Sequence, residues 1–175
     1  IAAIDYLMQH PNQEGRQLIE DFLVGLDASA IPSLVDLFDQ MEEELALPLF
    51  QNAVFELCKG DPFKLRSGLE HRRWKVVKAT CQVLARIRSR DALKLFEPLL
   101  EHESHIIRRT AVRSLGRSGS SQRAALLEPL LHDAEGSVRV AAIEAFGSID
   151  AAEAIVRLVT ILEGDSFPDR DRQEQ

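Results

Sequence analysis

Five cations in this chain fall at spacings that could hold an anion. Lys78, Gln82 and Arg86 recur every four residues, so they share one side of a helix. Arg109, Arg113 and Arg117 repeat that row 31 residues later. Two such helices side by side, about 10 Å apart, would merge the rows into one basic patch. Lys75 extends it. Trp74 opens the first of the two helices and offers an indole of the kind that anchors an interface; covering the edge of the core is its competing role. Like charges four residues apart weaken a helix slightly, so the rows call for a counter-charge or a ligand. The plain alternative is a solvated face whose charges pair with Glu144 and with residues of their own repeat.

Other chemistry is thin. Cys58 and Cys81 form no CxxC pair and no disulfide framework, and they fit small core residues in a reducing, cytoplasmic compartment. No Ser/His/Asp set and no glycine-rich phosphate loop can be assembled, so no cofactor is expected. His102-Glu103 is a single His-Glu dyad in a turn, whereas a di-metal site needs several ligands converging. The 175 residues are 45% hydrophobic and 28% charged, the composition of a folded chain, and no apolar run reaches membrane-spanning length. The beginning, IAAIDYLMQH, carries no basic leader and reads as the middle of a helix, as in a piece of a longer protein. The net charge of −7 conceals a pattern: residues 1–63 sum to −10, 64–123 to +10 and 124–175 to −7.

The elements that must position the cations recur with a fixed period. Glu70 to Leu100 and Glu101 to Leu131 align without a gap and share ten identities, among them Arg86/Arg117 and Pro98/Pro129. A period of this size marks stacked repeats. Each unit holds two helical patterns. In the central one, Ile107, Ala111, Val112 and Leu115 form one apolar face, with Ser104 at the N-cap position and Gly116 and Gly119 at the end. Ala125 to Leu131 form a second face with Pro129 inside it, which predicts a kink. Counting in steps of 31 places first helices at 1–9, 29–39, 61–69, 91–101, 121–132 and 151–162, and second helices at 13–26, 43–58, 72–88, 104–117 and 135–148. Glu42 and Glu44 fall one period before Arg73 and Lys75, which predicts an inter-repeat charge ladder. Residues 163–175 lack an apolar face and are expected to be disordered.

Leu130, Leu131, Asp133, Val138, Arg139, Ala142, Ala145, Phe146 and Gly147 resemble the HEAT repeat in its short, bilin-lyase-type form, and Ile107, Arg108, Ala111, Leu115 and Gly116 carry the same motif. The pattern departs at Val77, where the motif has arginine, and at Pro48. The resemblance implies an all-α fold, a HEAT/armadillo-type α-α superhelix of about five helix pairs plus a terminal helix over 1–162, with second helices on the concave wall. It gives Arg108 and Arg139 a structural role in bonding the turn and the neighbouring repeat. The nearly all-apolar helix 151–162 would leave an open C-terminal edge for association.

The expected function is a non-catalytic scaffold that binds an acidic or amphipathic protein or peptide against Lys78, Arg86, Arg109, Arg113, Arg117 and Trp74. Leu47, Gln51 and Phe55 would form one flank of that groove, and Val140, Glu144 and Ser148 the other. The second reading is nucleic-acid binding, supported by the +10 block and opposed by acidic flanks and few aromatics. A lyase, or a metal-dependent hydroxylase of the His-Glu type found in deoxyhypusine hydroxylases, is a third reading.

Overall fold

The computed structural model describes residues 13–41, 47–118, 122–148 and 159. The expected helix 1–9, nearly all of 151–162, the tail, and Glu42, Glu44 and Gly119 lie outside these residues. Within them the regular structure is helical: α1 (Gln13–Val24), α2 (Ile31–Leu37), α3 (Leu47–Cys58), α4 (Arg66–Leu69), α5 (Trp74–Leu84), α6 (Arg90–Leu100), α7 (His105–Gly116), α8 (Arg123–Leu127) and α9 (Gly136–Gly147). Three 3-10 turns, Ala28–Ala30, Pro62–Leu65 and Glu128–His132, extend the shorter first helices.

Local chemistry sets these boundaries. Asp61 accepts the Phe63 N–H at 3.1 Å ahead of Pro62, and Ser89 accepts the Ala92 N–H at 3.1 Å to open α6. Ser104 occupies the N-cap of α7 but makes no side-chain capping bond. Its N–H is instead held by the preceding turn. Pro98 lies inside α6 two residues before its end, whereas Pro129 falls where α8 tightens into the 3-10 turn. The same proline register thus falls within the last turn of one helix and marks a change of pitch in the other.

The pairs stack laterally. α3 packs on α1, α5 on α3, α7 on α5 and α9 on α7, while α2, α4, α6 and α8 with their 3-10 extensions cover the other side. The result is an α-α solenoid whose core runs without a break from Ile19 to Phe146. Val76, Val77, Cys81 and Leu84 of α5 are fully buried, as are Ala111, Val112 and Leu115 of α7. Ile143, in register with Cys81 and Val112, is 42% exposed. Among the described residues, α9 has a second helix packed on one flank only.

Close approach between repeats depends on two glycines. A Cβ on Gly116 would lie 2.7 Å from the Ala145 Cβ, and one on Gly68 would lie 2.6 Å from Val35 Cγ1 and 2.5 Å from Thr80 Oγ1. Gly116 therefore lets α7 and α9 meet nearly backbone to backbone.

Candidate protein-binding groove

Residues one period apart become lateral neighbours on the second-helix face. Gln51 Nε2 donates to Gln82 Oε1 at 2.7 Å and to the Ala79 carbonyl at 3.1 Å. Arg113 faces Glu144 at 3.7 Å. The Arg86 guanidinium lies 4.3 Å from the centre of the Phe55 ring and donates to Asn52 Oδ1 at 2.8 Å. The Ser148 hydroxyl donates to the Gly116 carbonyl at 3.0 Å. These contacts join 51 to 82, 113 to 144, 55 to 86 and 148 to 116, each linking one second helix to the next, and the 31-residue period extends them into rows across the second helices.

Between α3, α5 and α7 these rows enclose an open groove of about 530 Å³, lined by Leu47, Gln51, Gln82, Ala85, Arg86, Arg88, Ser114, Arg117 and Ser118. Among the described residues no carboxylate lines it. Arg86, Arg88 and Arg117 are exposed, and Arg88 and Arg117 have no acidic partner among the described residues.

The structure brings only some of the expected site residues together. Arg86 and Arg117 line the groove. Lys78 and Arg109 lie half-buried further up the same rows. Arg113 is exposed and already faces Glu144, an exposed pair worth about 0–1 kcal/mol. Trp74 is 46% exposed but sits three turns from Arg86, about 18 Å along the helix, beside Asp39, His71 and Arg73. It is no wall of this groove. Arg88 and Ser118 do line it, although their spacing carried no signal. Both follow the last helical turn, where helix periodicity no longer says which way a side chain points. Arg73 ion-pairs with Asp39 of the preceding repeat, while the expected partners Glu42 and Glu44 lie outside the described residues.

The turn positions form a separate, structural register. His71 Nδ1 accepts the Arg73 N–H at 3.1 Å, His102 Nδ1 accepts the Ser104 N–H at 2.9 Å, and Asp133 Oδ1 accepts the Glu135 N–H at 2.8 Å. Histidine and aspartate thus do the same work one period apart. Arg108 donates to the carbonyls of His102 and Glu103 and, through Nε and Nη2, to both carboxylate oxygens of Asp133 in the next repeat at 2.7 and 2.8 Å. Arg139 repeats the carbonyl contacts on Asp133 and Ala134. The bidentate Arg108 guanidinium holds the Asp133 carboxyl below the usual carboxylate range. His102 of the His-Glu dyad is committed to this turn. Among the described residues no three His, Cys, Asp or Glu side chains gather as metal ligands. Burial pushes the Cys58 and Cys81 thiols up to about 12, which leaves them inert.

Stacked helix pairs, a shared turn register and an arginine clasp from one repeat to the next define a helical-repeat protein. Residues 64–147 match the family model for HEAT repeats, and the chain is a HEAT-like repeat protein. No curated protein matches the sequence. HEAT repeats generally mediate protein–protein interaction, and scaffolds built from them are usually non-enzymatic. No described helix is long and apolar enough to cross a membrane.

Proposed function

We propose that the chain is a non-catalytic interaction module that holds an acidic or amphipathic segment of a protein partner across the second-helix face. The supporting observation is the groove itself, in which three guanidiniums meet Leu47 and Ala85 with no carboxylate among the described residues of the lining. Arg109, Arg113 and Lys78 continue the positive potential along α5 and α7, and would steer an acidic segment toward it. Apolar lining favours a protein ligand over a bare polyanion. Acidic side chains at the flanks, Glu144 on α9 and Glu56 on α3, interrupt any track long enough for nucleic acid.

A displayed library of random peptides tests this reading. Selected binders should be rich in Asp, Glu and apolar residues, and the Arg109→Ala/Arg113→Ala/Arg117→Ala triple variant should lose them. Binders without acidic bias, or a triple variant that binds them all equally well, would contradict it.

A further inference from the structure

The groove between α3, α5 and α7 presents hydrogen-bond donors almost exclusively. Gln82 Oε1 is already taken by Gln51, so the free part of that amide is its NH₂ group. Arg86 is held in place by Asn52 and by the face of Phe55, with part of its guanidinium still available. Arg88 and Arg117 bring two more guanidiniums. Ser118 lines the same groove, is only 5% exposed, and its hydroxyl has no hydrogen-bond partner among the described residues. A buried, unpartnered hydroxyl is costly unless a ligand reaches it. The carbonyl ends of α5 and α7 lie nearby and oppose an anion. Three full positive charges outweigh those partial ones.

A carboxylate offers two acceptor oxygens and one charge. A phosphomonoester offers three oxygens and nearly two charges, a better match to three guanidiniums, an amide and a hydroxyl. The donors line one groove of about 530 Å³ between three helices, which favours a single modified side chain over a nucleic-acid backbone. Leu47 and Ala85 supply apolar contact for its stem. Resting on the reading of this groove as a partner site, we propose that it holds a phosphorylated serine or threonine of the partner, with Arg86, Arg88 and Arg117 on the phosphate oxygens and Ser118 at the floor.

The test is an arrayed peptide set in three matched versions, centred on phosphoserine, serine or glutamate, probed by fluorescence polarisation. The phosphoserine version should bind the wild-type chain about tenfold more tightly than the serine version. Arg88→Ala and Arg117→Ala should abolish that preference, Arg88→Lys should restore part of it, and inorganic phosphate should compete where chloride of equal ionic strength does not. Arg88 is exposed, so its variants should keep the fold, which circular dichroism checks. Glutamate and phosphoserine versions bound equally, both above serine, would overturn the phosphate pocket while leaving the acidic-segment groove standing. Serine peptides bound as well as both would overturn the two readings together. Tighter binding of single-stranded or duplex DNA than of any peptide, abolished by Arg88→Ala, would replace the phosphopeptide with nucleic acid.

Discussion

Arg108 makes four hydrogen bonds, two within its own repeat and two to Asp133 of the next, and Asp133 also caps its own turn. The two side chains are 16% and 7% exposed, so removing one partner strands the other in a poorly hydrated place. Asp133→Ala or Arg108→Ala should cost about 2–3 kcal/mol in urea melts, more than any exposed pair such as Arg113–Glu144. Because the Asp133 carboxyl is held below its ordinary 3.8, folding favours its ionised form. That contribution is complete above the ordinary value and is lost as pH falls through the lowered one. Asp133→Ala should therefore lose less stability than wild type between about pH 5 and pH 2. The motif arginine already marked this clasp at the level of sequence. The role of His71 and His102 was hidden, because a histidine accepting a backbone N–H through Nδ1 carries no sequence signature, and beside Glu103 the same residue looks like a ligand.

At the scale of elements, the period assigns equivalent places to residues that packing then distinguishes. Gly116 and Gly147 both end a second helix one period apart. Gly116 faces Ala145 at a distance no side chain can share, while a Cβ on Gly147 meets nothing within 4 Å among the described residues. Gly116→Val should cost about 1–3 kcal/mol through overpacking, whereas Gly147→Ala should be neutral or stabilise by about 0.5 kcal/mol. Thermal melts of the two variants would check this difference in sign. The helices themselves were legible from apolar faces recurring at 31 residues; at Pro129, where a kink is expected, the α-helix gives way to a 3-10 turn. Their exact ends were less so. The second helix expected over 72–88 runs from Trp74 to Leu84, because Arg72, Arg73, Ala85 and Arg86 are consumed by the turns around it. That shortening moves Arg88 off the helix and into the groove.

Across the whole molecule, the register that shapes the core also shapes the surface. The fold was readable because a stacked repeat converts sequence distance into lateral contact, so equal residues at equal phase must meet. The site was readable only in outline. Arg86 and Arg117 lie where phase puts them, but Trp74, on the same chain row, ends three turns away. Periodicity locates a face and leaves open where along it a groove deepens. The account rests on residues 51, 82, 113 and 144 forming one transverse row across four successive second helices, α3, α5, α7 and α9. Paired cysteine substitutions joined by a short bis-maleimide measure that directly, since the native thiols are buried and unreactive. Gln51→Cys with Gln82→Cys, and Arg113→Cys with Glu144→Cys, should cross-link within one chain, while Gln51→Cys with Glu144→Cys, about 30 Å apart at three helix spacings, should not. Efficient intramolecular linkage of the distant pair, or none in the adjacent pairs, would contradict the stacked array and the groove built on it.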